Sequence, residues 1–148
     1  MPRVDFYVLP ENSSAERFAC TIANKAWQQG RAVFIQTESK EAAGTMDDLL
    51  WTFNDISFLP HVVKESDITP AERVVIGWQP QPPGNYEVLI NLTAEIPSSA
   101  ERFARIVEIV AGDNRQKDLA RNRYRGYREQ GYELHNHTLE SEDRKSVV

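Results

Sequence analysis

An α/β fold with a mostly parallel central sheet is what this sequence predicts, and three observations carry it. The first fifty residues alternate between strand-like and helix-like patterning in the order β-α-β-α, the signature of a parallel α/β sheet. Two more short β-branched runs follow, VVIGW at Val74–Trp78 and EVLINL at Glu87–Leu92. Neither a GxGxxG nor a GxxxxGK[ST] pattern occurs, so the fold is expected without a nucleotide-binding loop. The chain has 148 residues, enough for one core. It reads as a single domain over residues 1–138 and a charged tail over 139–148.

The elements can be justified in order. RVDFYVL, Arg3–Leu9, is β-branched and aromatic, stops at Pro10, and predicts the first strand. Ser13 and Glu16 then make a capping box, and Phe18, Ala19, Ile22, Ala23 and Ala26 recur at helical spacing until Gly30. AVFIQT, Ala32–Thr37, predicts a short buried strand. Ser39 to Trp51 predicts a second helix anchored by Met46, Leu49 and Leu50. Asn54–Val63 is irregular around Phe58-Leu59-Pro60, with His61 read as structural. After the strands at Val74 and Glu87, separated by the loop QPQPPGN, Ser98 and Glu101 repeat the capping box. Phe103, Ile106, Val107 and Val110 then keep helical spacing, so Ser98–Val110 is expected to be a helix, although RIVEIV taken alone fits a strand. Asp113–Gln130 predicts the last helix, closed by Gly131. The heptapeptide SSAERFA occurs at Ser13–Ala19 and again at Ser98–Ala104 and is read as one capping solution used twice.

Composition narrows the function classes. Hydrophobic content of 41% and charged content of 26% are those of an ordinary globular domain. No apolar run approaches the roughly 18 residues of a membrane span, and the N-terminus lacks a secretory pattern. Cys20 is the one cysteine, which excludes an intrachain disulfide. Together these favour a cytoplasmic protein.

Catalytic and metal-binding constellations are not legible. His135 and His137 stand at i, i+2 but have no third ligand at suitable spacing, so no metal site is expected. Cys20 falls near the apolar face of the first helix, where a free cysteine is core. No Ser/His/Asp or Cys/His set can be read, and Asp47-Asp48 diverge on their helix.

The exceptional segment is NRQKDLARNRYRGYR, Asn114–Arg128. It sets six cations against Asp118 in a chain of net charge −5. At about 100° per residue, Lys117, Arg121, Tyr124, Arg125 and Arg128 form one stripe, with Leu119 on the opposite side toward the expected core. Such a stripe suits an anion, of three possible kinds. Single-stranded nucleic acid would use Tyr124 for stacking and the cations for phosphates. A phosphate-bearing small molecule would need donors converging in a pocket. An acidic peptide with an apolar end would use the cations for carboxylates and the ring for the apolar group. The residues alone leave all three open.

Taken in order and spacing, further residues carry a resemblance. These are FYVL at Phe6–Leu9, Trp51 followed by SFLPH at Ser57–His61, NL after VLI at Val88–Leu92, EIV at Glu108–Val110, and LAR-x-RY-R-x-YR-x-x-GY at Leu119–Tyr132. From about Val4 to His137 the chain resembles the chi subunit family of bacterial DNA polymerase III holoenzyme. The resemblance implies a Rossmann-like three-layer sandwich with helices on both faces, and a non-catalytic adaptor with no cofactor. It implies binding of the acidic C-terminal tail of single-stranded-DNA-binding protein (SSB), which ends in phenylalanine with a free carboxylate. By position, Lys117, Arg121, Tyr124, Arg125 and Arg128 would take the tail, with Val110 as the pocket floor and Asn136 beside it. It implies a second contact, with the psi subunit of the clamp loader, through Trp51, Phe58, Leu59 and Pro60. DNA would be reached indirectly through SSB, without a membrane, and the chain would be monomeric when alone. A direct single-stranded nucleic-acid binder is the alternative.

Overall fold

The computed structural model describes residues 2–53, 62–63, 74–79 and 86–139. The expectations for Phe58, Leu59, Pro60 and His61, for most of the loop QPQPPGN and for the tail beyond Leu139 lie outside those residues. Within them, seven parallel strands form one sheet in the order β3-β4-β2-β5-β6-β1-β7. The strands are β1 Arg3–Val8, β2 Val33–Gln36, β3 Val62–Val63, β4 Val74–Gly77, β5 Val88–Asn91, β6 Arg105–Val110 and β7 Glu133–Thr138. Three helices accompany them: α1 Ala15–Gln28, α2 Lys40–Phe53 and α3 Asn114–Glu129.

Alternation of side chains along the strands builds two cores, one per face. Val33, Ile35, Val74, Ile76, Val88, Ile90, Val107 and Ile109 point to the α1 and α2 side. There they meet Ala19, Cys20, Ala23 and Ala26 of α1 and Ala43, Met46 and Leu50 of α2. Val4, Phe6, Phe34, Val75, Leu89, Ile106 and Val110 point the other way, to Ala120 and Tyr127 of α3. The central strands are therefore buried on both sides, which is why they read as unbroken apolar runs. The mostly parallel three-layer sandwich expected from the sequence is what forms.

Several local expectations are corrected. Ser98–Val110 is not a helix. Ala100–Arg102 makes one 3-10 turn, Phe103 turns extended at φ −107° and ψ 146°, and Arg105–Val110 enters the sheet as β6. Four β-branched residues in six favour the strand locally, and the open place between β5 and β1 supplies the ladder. The two SSAERFA copies thus take different structures. In the first, the capping residue is Ser14 and not Ser13: Arg17 N–H donates to Ser14 Oγ at 3.2 Å, and Ser14 Oγ in turn donates to Glu16 at 3.3 Å. In the second, Ser99 Oγ is buried and accepts no capping bond. β3 and β7 were not expected as strands. Gly30 and Gly131 do close α1 and α3, at φ +80° and +84°, conformations that a side chain disfavours.

Candidate functional site

The basic segment forms α3 as expected, capped by Asp113, whose Oδ1 accepts from Gln116 N–H at 3.1 Å. Its inward face differs from the expected one. Leu119 is only half-buried, and the buried positions are Ala120, Arg123 and Tyr127. Arg123 is 7% exposed, so one of the six cations of this segment serves the interior. Its Nε donates to Oε1 of the fully buried Glu108 at 2.8 Å, and its Nη1 donates to the Ala94 carbonyl at 3.1 Å. Tyr127 Oη and Asn91 Nδ2 donate to Glu108 Oε2 at 2.7 and 2.8 Å. Burial pushes the Glu108 carboxyl up, while Arg123, Asn91 and Tyr127 pull it back. This network bolts α3 to β6 and β5 and sets the helix's rotation.

That rotation puts Lys117, Arg121, Arg125 and Arg128 on the exposed side. Tyr124 lies half-buried between them and the sheet, its ring centroid 5.2 Å from that of Phe6 at 60°. Asn136 Nδ2 of β7 donates to Tyr124 Oη at 3.3 Å. Tyr124 packs on the same apolar cluster that holds Val110 and Val8. Val8 stands in register with Val110 on one side and Thr138 on the other. The expected residues therefore share one side of the molecule: Val110 and Tyr124 lie in one apolar cluster, Asn136 bonds the ring, and the four cations are exposed on the helix. Two of the cations have polar neighbours one turn away. Arg121 pairs with exposed Asp118, and Arg125 donates to Asn122 Oδ1 at 2.9 Å. Phe6 and Val8 join Tyr124 in this cluster, a placement that sequence reasoning missed. The signal was available in the strand parity, since even positions of β1 face α3.

Elsewhere the expected residues separate. Trp51 lies on α2 with 53% of its surface exposed, on the far side of the sheet from α3. His135 and His137 engage different carboxylates: His135 Nε2 lies 2.5 Å from Glu133, and His137 Nε2 lies 2.9 Å from Asp5. Among the described residues no three His, Cys, Asp or Glu side chains gather as metal ligands. Cys20 is buried, and burial pushes its thiol up to about 12. The crevice at the carboxyl ends of the central strands, where α/β proteins bind nucleotides, measures about 480 Å³. Glu16 and Glu38 line it, and Arg123, the cation among its lining residues, is paired with Glu108, an arrangement that disfavours phosphate. None of the described helices is long and apolar enough to cross a membrane.

Comparison with known proteins gives a consistent picture. The profile of the family described as "DNA polymerase III chi subunit, HolC" matches residues 1–135. A protein of Pseudomonas aeruginosa named DNA polymerase III subunit chi is 39% identical over 94% of this chain and 98% of its own length. Proteins of the same name from Haemophilus influenzae and Escherichia coli are 33% and 30% identical. These two alignments cover 87% and 93% of this chain, and 92% and 99% of theirs. The solved structure titled "The crystal structure of T4 UvsW" superimposes with a TM-score of 0.68. It covers 93% of this chain and 41% of that chain at 7% identity, a likeness of fold alone.

Proposed function

We propose a function from one premise: the chain belongs to the chi subunit family of DNA polymerase III, a component of DNA replication. On that premise it is a non-catalytic adaptor. Its α3 stripe takes the acidic C-terminal tail of SSB, and the region around Trp51, with Phe58, Leu59 and Pro60, takes the psi subunit. The observation that carries the reading is the placement of Tyr124. Its ring is tilted 60° against Phe6 and tied to Asn136, so it is held at the edge of the apolar cluster that includes Val110. A base-stacking platform needs a ring presented flat to solvent. An apolar surface edged by a fixed ring, with Lys117, Arg121 and Arg125 exposed on the same helix, suits a terminal phenylalanine with its own carboxylate and the acidic residues before it. The acidic lining of the crevice at the strand ends argues against a nucleotide-using enzyme on this sheet. Trp51, exposed on the opposite layer, leaves room for a second partner while the stripe is occupied.

The test is a polarisation titration with a labelled peptide copying the SSB tail, with and without its last phenylalanine. Binding should depend on that phenylalanine and weaken with salt. Lys117→Ala or Arg121→Ala should each weaken it by about tenfold, the loss of one shielded charge-assisted bond of about 1.5 kcal/mol. Equal binding of the truncated peptide, or tighter binding of a bare oligonucleotide, would sink the reading.

A further inference from the structure

Where the chain leaves β7 bears on the same stripe. Thr138 pairs with Val8, which pairs with Val110, and Leu139 N–H donates to the Val8 carbonyl at 2.9 Å. The strand that leads into α3 and the strand that leads into the tail are therefore two sheet spacings apart, about 10 Å. Both chains emerge at the same end of the sheet. The stripe also leans toward β7, since Asn136 bonds Tyr124. Beyond Leu139 the sequence reads ESED, with Glu140, Glu142 and Asp143, before Arg144 and Lys145. Leu134 and Asn136 meet the α3 side, and Leu139 packs on the opposite core, so even positions of β7 face α3. Four residues beyond Leu139 reach up to about 14 Å. The family profile ends at residue 135, so this acidic run lies outside the family match.

We propose that the acidic segment Glu140–Asp143 docks on Lys117, Arg121 and Arg125 of its own chain and competes with an incoming acidic peptide. The segment is tethered, so its local concentration at the stripe is on the order of millimolar without a strong contact. Each exposed pair is weak, so the tail is displaced by a ligand that also packs an apolar group beside Tyr124. The docking itself is independent of the function proposed above; the competition rests on it.

The test uses the full chain with Glu140→Gln, Glu142→Gln and Asp143→Asn together. A control variant, Glu11→Gln, Glu41→Gln and Asp48→Asn, removes equal charge from exposed positions elsewhere. In nitrogen-15 NMR spectra at low salt, the backbone amides of Lys117, Arg121 and Arg125 should shift in the tail variant and not in the control. The difference should close at high salt. The tail variant should bind the SSB-tail peptide about three- to tenfold more tightly than the parent and the control. Superimposable α3 spectra at low salt overturn the docking whatever the peptide does. Equal tightening by the control also overturns it, because net charge then accounts for the gain. Shifted amides with an unchanged peptide Kd overturn the competition. If the peptide binds none of the three proteins, the function proposed above fails, and the spectra still decide the docking.

Discussion

Arg123 shows how a residue's type misleads until its partner is known. In the sequence it is one of six cations in a basic segment, and the helical spacing sets it off the stripe, toward the far side, without naming a partner. In the fold it is buried, because Glu108 on the adjoining sheet is buried too, and neither is tolerable alone. The signal for the pair was the odd acid in RIVEIV, which the helical reading of that segment hid. Removing one partner leaves the other charge uncompensated in the interior. Arg123→Met is therefore expected to cost about 3–5 kcal/mol in urea denaturation. Adding Glu108→Leu should recover part of that loss, since it removes the uncompensated charge but leaves Tyr127 Oη and Asn91 Nδ2 without this acceptor. A single-variant cost below about 1 kcal/mol would mean that the pair does not hold α3. Lys117, Arg121, Tyr124 and Arg125, by contrast, were legible by type and spacing, because an exposed helix face needs no partner to define it.

At the scale of elements, legibility followed how far each segment's neighbours decide its structure. α1, α2 and α3 were readable because each has caps and a one-sided apolar face within its own sequence. β6 was misread because Phe103, Ile106, Val107 and Val110 satisfy helical spacing, and only the vacancy between β5 and β1 selects the strand. β7, reading ELHNHT, has no strand-like composition, being a polar strand that among the described strands pairs with β1 alone. The repeated SSAERFA makes the same point within seven residues: identical sequence, one helix start and one 3-10 turn. The two copies predict opposite mutational outcomes. Ser14→Ala removes the bond from Arg17 N–H and should cost about 1 kcal/mol. Ser99→Ala removes a buried hydroxyl without a partner and should be neutral or slightly stabilising. Chemical denaturation of both variants checks this, and equal losses would contradict the assigned caps.

For the whole molecule, the distribution of helices leaves one stretch of sheet to polar side chains. α1 packs over β2, β5 and β6, and on that face β1 and β7 carry Arg3, Asp5, Glu133, His135 and His137. Asp5 is fully buried there, its oxygens 3.1 Å from Arg3 Nη2, 2.8 Å from Arg105 Nε and 2.9 Å from His137 Nε2. His137 stacks on Tyr7 at 4.6 Å, and Arg105 Nη2 donates to Tyr7 Oη at 3.3 Å. These side chains roof the sheet edge where none of the described helices does. Burial alone would raise the Asp5 carboxyl, but the bonds from His137 and Arg3 and the charge of Arg105 outweigh it and hold it low. A carboxyl held below its unfolded value of about 3.9 binds fewer protons folded than unfolded. Its contribution to stability is therefore complete above that value and is lost as pH falls through the folded one. Asp5→Asn should lower the urea midpoint at pH 7 by at least about 1.5 kcal/mol equivalent, the worth of one hydrogen bond to a charged group. It should lower it progressively less as the pH falls below 4. Glu108, shifted the other way, is present in both proteins and cancels in the difference. Midpoints at pH 7, 5 and 3 decide the matter: parallel profiles for parent and variant would show that Asp5 is not the group linking the sheet edge to acid stability.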